Sequence, residues 1–350
     1  MKVSFISTMA QQNSMRSTVA RAQKEIDKLN KEIVTGRYAD IGLALGAKTS
    51  NSVSLNHDVS RLKTIQDANA LSTQRLSASQ SALELMSDSA QQMMEAFITA
   101  NGSDDSNNLL IARRDIESSL GSFTVAINTS SNGEYLFAGI NTGVKPVEEY
   151  LAAGSTPKAF FDATFSAHFG FAQDDPAAAG ITVAQMDDFI TNVLEPSFMG
   201  PDWNTNWSSA SDTNMTSRIL SNEVVESSVN ANEKGMRYFA LAAVIGIELL
   251  GSPVSSEVRN SINAKAIEYA GQAVTGIDNQ RSNLGVAEHR LAKAKVSLES
   301  QVKIIKLHLG DIEGVDAYEA STRMDTLVDQ VELSYTLTAR IQQLNLTNYL

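Results

Sequence analysis

The chain has 350 residues, of which 43% are hydrophobic, so it can form a sizeable core. Its formal net charge of −12 disfavours a sequence-independent grip on nucleic acid and binding to anionic membrane surfaces. The absence of cysteine excludes disulfides, thiol nucleophiles and cysteine metal sites.

Apolar residues near the N-terminus recur at intervals of four and three, which is the spacing of an amphipathic helix with one apolar stripe. They are Met15, Val19, Ala22, Ile26, Leu29 and Ile33. Gly36, Gly42 and Gly46 then predict a loop over residues 36–50.

A second helix is predicted over residues 52–100, roughly 70 Å long. One stripe of it repeats every seven residues, as in a coiled coil: Leu55, Leu62, Asn69, Leu76, Leu83, Ala90 and Phe97. Turn residues follow at 101–105, and Ser106 or Asn107 is expected to cap a third helix. The pair Asn132-Gly133 then predicts a tight turn and a short strand that form a small β-hairpin.

The segment 146–217 has a different composition from both flanks. It holds five of the six prolines, both tryptophans, seven of the twelve phenylalanines and ten acidic residues, with Lys158 as its single basic residue. Linkers are poor in aromatic residues, so this segment is interpreted as a compact, acidic, mixed or β-rich insertion with a small aromatic core of its own.

Helical periodicity returns after the insertion. One helix is predicted over 222–250 and another from Ser255 or Ser256 to about Leu309, where Gly310-Asp311 should end it. The longer of the two carries a second sevenfold stripe: Leu284, Leu291, Leu298, Ile305 and Ile312. The last helix has one stripe with Met324, Val328, Val331 and Tyr335 and another with Leu333, Leu337, Ile341 and Leu344. Two stripes indicate a helix that is surrounded by partners.

These patterns predict a mainly α protein, a long antiparallel helical bundle with paired N- and C-terminal coiled-coil arms, a small β-hairpin and a mixed or β-rich inserted outer domain. The expected domains are 1–40 with 311–350, 41–142 with 218–310, and 143–217. An apolar stripe left exposed on the arms invites neighbouring subunits. The expected subunit-interface residues are Met15, Val19, Ala22, Ile26, Leu29, Ile33, Met324, Val328, Val331, Leu337, Ile341 and Leu344.

The sequence gives little sign of catalysis, so we expect no enzyme, no cofactor and no metal. The four histidines, His57, His168, His289 and His308, lie far apart and have no partner at metal-ligand spacing. The acidic pairs at 174–175 and 187–188 lack the alternating oxygen ligands and the glycine of a calcium loop. A solvated acidic face explains them equally well.

Short motifs lie near both ends of the chain. The N-terminal motifs run from Ala20 to Gln23, from Leu29 to Arg37 and from Asp40 to Gly46, and the C-terminal motif, Arg281 to Gly285, reads Arg-x-x-Leu-Gly. Together they resemble the flagellin superfamily, whose signature includes Arg-x-x-Leu-Gly, and within it the hook-associated junction proteins more than filament flagellins. Filament flagellins usually continue after the first helix as Arg-Ile-Asn-x-Ala-x-Asp-Asp, a motif that is missing here.

The resemblance implies a structural component of the bacterial flagellum that sits between the first hook-associated junction protein and flagellin, and that associates with itself in a ring. It also implies extracellular location, export by the flagellar type III pathway and an export chaperone on the C-terminal arm. The first twelve residues hold no continuous apolar core, so we expect export without a cleaved signal peptide. Two alternatives stay open: a filament flagellin, and a coiled-coil secreted adhesin or effector. No role for nucleic acid or membranes is expected.

Overall fold

The structure is a computed structural model that describes residues 8–103 and 105–343, with side chains from residue 10 to residue 340. Its eleven α-helices in the described part are α1 (Thr8–Thr35), α2 (Ile41–Leu45), α3 (Thr49–Ala100), α4 (Ser106–Ile127), α5 (Thr156–Phe169), α6 (Val183–Asp188), α7 (Glu195–Met199), α8 (Asp202–Asn206), α9 (Lys234–Leu249), α10 (Ser256–Glu313) and α11 (Ala317–Gln343). The two small antiparallel sheets of the described residues pair β1 (Ser130–Ser131) with β2 (Glu134–Tyr135) and β3 (Thr216–Leu220) with β4 (Glu223–Glu226). The prediction of a mainly α protein with a small hairpin is confirmed.

The chain divides into two compact units. One, named here the arm unit, combines Met1–Thr64 with Leu298–Leu350; the other, the bundle unit, is Ile65–Ser297. Both α3 and α10 contribute residues to each unit.

The sevenfold stripes of α3 and α10 face inward, as predicted. In the bundle unit Leu76, Leu83, Phe97, Leu284 and Leu291 are all buried in one hydrophobic cluster. Helix α10 runs to Glu313, so Gly310 does not end it as expected.

Helix α9 is the most buried element of the bundle unit and corresponds to the most apolar stretch of the sequence. Nearly every residue from 235 to 250 is buried. Phe239 of this helix stacks on Phe123 of α4, with 3.8 Å between the ring centroids. At the start of α9, Gly235 approaches Gly276 of α10 so closely that a Cβ on Gly276 would lie 2.5 Å from the Cα of Gly235.

The predicted helix over 222–250 is wrong in its first half. Residues 223–226 form β4, which pairs with β3 across a two-residue turn, and α9 begins only at Lys234. Val224 and Val225 favour a strand because their β-branched side chains fit a half-buried sheet. Asn69 of the α3 stripe holds this hairpin by donating from Nδ2 to the carbonyl of Ile219, at 2.9 Å.

The first hairpin forms at the predicted turn. Asn132 and Gly133 both have positive φ, which matches the twist of a two-residue hairpin loop. The following segment crosses to the insertion at Gly139, whose φ is +63°. A Cβ there would lie 2.5 Å from the carbonyl oxygen of Ser211, so a glycine is required on two grounds.

The insertion is helical rather than β-rich, which corrects the sequence interpretation. Ser155 caps α5 by accepting from the amide of Lys158, and Pro157 occupies its first turn. Phe161, Phe165 and Phe169 recur every four residues, so their rings fall on one face of α5. The aromatic cluster is continuous with the buried residues of the bundle helices instead of forming a core of its own.

The single lysine of the insertion binds a buried carboxylate on α9. Glu248 lies 3.1 Å from the ammonium of Lys158 and accepts a 3.0 Å hydrogen bond from the hydroxyl of Tyr150. Burial alone would lower the pKa of Lys158, but hydrogen bonding and charge interactions with Asp162 and Glu248 outweigh it and raise that pKa. Burial and the neighbouring Glu248 also raise the pKa of Tyr150. The insertion is thereby fastened to the bundle by a paired buried charge.

Candidate assembly interface

The arm unit is built on an antiparallel pair, α1 and α11, whose seam follows the predicted stripe of α1. Ala22 and Leu29 are buried and Met15, Val19, Ile26 and Ile33 are half-buried in the seam. All six follow the spacing that keeps one face of a helix toward a single partner. The end of the pair where α1 stops and α11 begins, named here the root, is fixed by a hydrogen bond from the amide of Val315 to the carbonyl of Gly36, at 3.1 Å.

Helix α11 meets this seam with a different stripe from the one predicted. The inward residues recur at intervals of four and three: Ala320, Met324, Leu327, Val331, Ser334 and Thr338. Apolar counting missed Ser334 and Thr338 because they are polar. Thr338 donates from its hydroxyl to the sulfur of Met15 at 3.6 Å, so a polar side chain fills this seam position.

The other predicted residues of α11 fall away from the seam. Val328 and Leu337 are exposed, as are Leu333 and Tyr335. The side chain of Ile341 and the whole of Leu344 lie outside the described residues. Of the predicted set on α11, the seam therefore takes up Met324 and Val331, while Val328 and Leu337 stay exposed on opposite sides of it.

A buried carboxylate, Glu313, ties the root of the pair to α3. Its side chain is fully buried and accepts hydrogen bonds from Ser52 and, at 3.1 Å, from the amide nitrogen of Asn56. The guanidinium of Arg37 lies 3.1 Å from the second carboxylate oxygen. The amide of Tyr38 also donates to the carbonyl of Glu313 at 3.0 Å. This cluster, named here the root knot, fixes the position at which the loop after α1 crosses α10.

A second buried acid steadies the same loop. Glu32 accepts a 3.0 Å hydrogen bond from the amide of Ala39, so the loop folds back on the end of α1. The glycine pattern predicts the loop that begins at Gly36. It does not predict that Glu32 and Glu313 stabilise the loop, because their partners lie outside the spacings that a helix pattern reports.

The arm unit buries few of its large hydrophobic side chains. Its buried hydrophobic residues, among those described, are Ala22, Leu29, Val59, Leu62, Leu298, Val302, Leu309 and Ala320. Its exposed large hydrophobic residues are more numerous: Val34, Tyr38, Leu43, Val53, Ile304, Leu307, Tyr318, Val328, Leu333, Tyr335 and Leu337. Apolar area of this extent on one small unit is typical of a surface that binds another protein.

Two features are absent from the described residues, namely a metal-binding cluster and a membrane-spanning helix. They contain no group of three or more histidine, cysteine, aspartate or glutamate side chains able to hold a metal ion. None of the described helices is both long and apolar enough to cross a membrane.

The two ends of the chain match models of one protein family. Residues 6–142 match the bacterial flagellin N-terminal helical region, and residues 267–350 match the bacterial flagellin C-terminal helical region. The insertion lies in the unmatched stretch between them. No curated protein matches the sequence.

Several solved structures share the fold, among them the following two. A Vibrio parahaemolyticus protein assigned as flagellar hook-associated is 11% identical, with a TM-score of 0.52 over 76% of this chain and 97% of that one. FlgL of Bacillus cereus is 12% identical, with a TM-score of 0.50 over 73% of this chain and 99% of that one. At these identities the likeness establishes the fold alone.

Proposed function

Since this chain belongs to the flagellin superfamily, we propose that it is a structural adaptor at the joint between flagellar hook and filament, on which flagellin assembles. The observation that carries the proposal is the arm unit, whose apolar surface is largely unburied while the bundle unit is well packed. Among the solved structures that share the fold, one is named a flagellar hook-associated protein and another FlgL, and on this likeness we favour an adaptor over the bulk filament subunit.

The arms are the proposed contact with neighbouring subunits. The proposed interface comprises the predicted residues on α1 and α11, with Val328 and Leu337 as the part already exposed. The partners we propose are the first hook-associated junction protein on one side, flagellin on the other, and further copies of this chain in a ring. An export chaperone would cover the exposed apolar side chains of α11 before assembly, because such side chains are an aggregation hazard in the cytoplasm.

The location of the protein along an intact flagellum tests the proposal directly. A small epitope tag inserted in the exposed turn at 152–154 leaves both arms unaltered. We expect antibody labelling as a single band where hook and filament meet. Uniform labelling along the filament would instead identify a filament flagellin.

Gene deletion gives an independent test. Without the adaptor, hooks should persist while flagellin is lost to the medium. Normal filaments in the deletion strain would refute the adaptor role. Purified protein should also fail to polymerise into long filaments alone, since an adaptor that did so would compete with flagellin.

The proposed inner domain, residues 1–40 with 311–350, can be tested by limited proteolysis. We expect the first cuts before about residue 40 and after about residue 310, because few apolar contacts hold the arms. Early cuts within 60–130 would contradict this division, since α3 and α4 are packed in the bundle cluster there.

A further inference from the structure

The outer face of α1, opposite the seam, carries a row of cations. Lys24, Lys28 and Lys31 recur at intervals of four and three, so their side chains lie on one face of the helix. Lys24 and Lys31 are exposed. Lys28 is half-buried, and its ammonium lies 3.3 Å from Glu25 of the same helix. We name these three lysines the basic row.

The outer face of α11 carries a row of acids with the same spacing. Asp325, Asp329 and Glu332 recur at intervals of four and three and all are exposed. Leu333, which is 69% exposed, lies beside them. The nearest cation in sequence, Arg323, is paired with Glu319 at 2.6 Å and leaves the row acidic. We name Asp325, Asp329 and Glu332 the acidic row.

The two rows overlap in height along the antiparallel pair, where Lys24 and Lys28 are level with Asp329 and Asp325. Contacts at both ends, Gly36 with Val315 and Met15 with Thr338, fix the register of α1 against α11. Counting residues between these contacts places Lys24 level with Asp329, to within one helical turn. Within one chain the rows cannot meet, because each faces away from the seam.

On the basis of the proposed function in the arm unit, we propose that the basic row of one copy docks against the acidic row of the next copy. The occupant is a second copy of this chain because the two rows are opposite in sign, share their spacing and overlap in height. This overlap means that neighbours stand side by side, which closes a ring if the rotation between them permits. Leu333 is covered by the same contact.

Introduced cysteines test this contact sharply, since the chain has none of its own. The test chain carries Lys24→Cys and Asp329→Cys, is expressed in place of the native chain, and is treated with a short thiol–thiol crosslinker on isolated flagella. A flexible crosslinker is preferred, because a direct disulfide needs Cα atoms within about 7 Å. We expect a ladder of covalent multimers. Either cysteine alone should leave only monomers.

A matched control places the second cysteine on the same helix but off the row. Gln330 is exposed and lies about 100° around α11 from Asp329. The chain with Lys24→Cys and Gln330→Cys should give several-fold less multimer than the test chain. Equal ladders from both chains, or no ladder from the test chain in flagella that contain it, would overturn the contact while leaving the adaptor role in place.

The outcomes separate this contact from the proposed function. A test chain at the hook–filament joint without a ladder contradicts the contact alone. A tagged native chain missing from isolated flagella contradicts the adaptor role, and the contact with it. Reversing the charge of both rows in one chain should restore assembly that reversing either row abolishes, since only a contact between rows of opposite sign survives the exchange.

Discussion

The root knot can be tested at a single residue, because one buried carboxylate accepts hydrogen bonds from three side chains, two on α3 and one in the loop after α1. Replacing Glu313 by Ala removes the acceptor of Ser52, Asn56 and Arg37. Ser52 is buried, so the loss of its partner costs about 1–3 kcal/mol, and Asn56, which is more exposed, costs less. The side chain of Arg37 is 48% exposed and returns to water, so its ion pair adds only about 0.5–1 kcal/mol.

The total for Glu313→Ala is about 3 kcal/mol, which raises the frequency of local opening about 150-fold. Amide hydrogen exchange measured by mass spectrometry reports this opening in α1 and at the start of α11. Exchange in α9 of the bundle unit is the internal control, because the knot lies wholly in the arm unit.

Two further variants separate the contributions. Glu313→Gln keeps an oxygen for Ser52 and Asn56 but loses the charge opposite Arg37, so it should cost about 1 kcal/mol. Arg37→Ala leaves the fully buried Glu313 carboxylate without its cation, so it should cost more than the ion pair itself contributes, about 1–3 kcal/mol. Unchanged exchange in Glu313→Ala would refute the reasoning that the buried hydrogen bonds hold the arms.

Three predictions concern the bundle unit. Gly276→Ala should lower its stability by about 1–3 kcal/mol in thermal unfolding, because the new Cβ meets backbone atoms of α9. Gly271 lies on the same helix with open space around it, so Gly271→Ala should instead stabilise the unit by about 0.5–1 kcal/mol. A loss of stability in Gly271→Ala would contradict this use of helix propensity as the control. Gly139→Ala should lower the stability by about 3 kcal/mol, because the residue has a positive φ and its new Cβ would overlap carbonyl oxygens. Gly143→Ala, with nothing within 4 Å of its new Cβ, should change the stability by no more than about 0.5 kcal/mol. Similar melting temperatures of the two variants would contradict the overlap. The raised pKa of Lys158 means that the folded chain holds this proton more tightly than the unfolded chain, so the contribution is complete below about pH 10.5 and is lost as the pH rises through the folded value. Denaturant titrations between neutral and alkaline pH should show the free energy of unfolding falling as the pH rises. Lys158→Met should make this fall less steep. An unaltered dependence on pH would exclude the Lys158–Glu248 pair as its source.

The long helices could be predicted from the sequence because a single repeated contact determines them. Within the bundle unit, every seventh residue of the α3 and α10 stripes is buried, so periodicity alone is sufficient there. Asn69 is the polar exception on this stripe. It can be buried there because its side-chain amide donates a hydrogen bond to a backbone carbonyl of β3.

The parts that could not be predicted depend on contacts between distant residues. Glu248 and Lys158 are 90 positions apart, and the local pairing of Lys158 with Asp162 gives no sign of the buried partner on α9. The inward stripe of α11 differs from its apolar stripes because Ser334 and Thr338 occupy two of the inward positions. In the insertion, aromatic enrichment favoured strands, although the four-residue spacing of Phe161, Phe165 and Phe169 already favoured a helix.

The pair between Lys158 and Glu248 limits how one insertion can be exchanged for another. Because Glu248 belongs to α9, it stays behind when the insertion is replaced, and a graft without a cation at this place would leave a buried charge unmatched. A successful graft must bring its own lysine or arginine, or be combined with a change of Glu248 to an apolar residue. The sequence of the insertion can therefore vary only as far as it still supplies a partner for Glu248 of α9, unless Glu248 changes too.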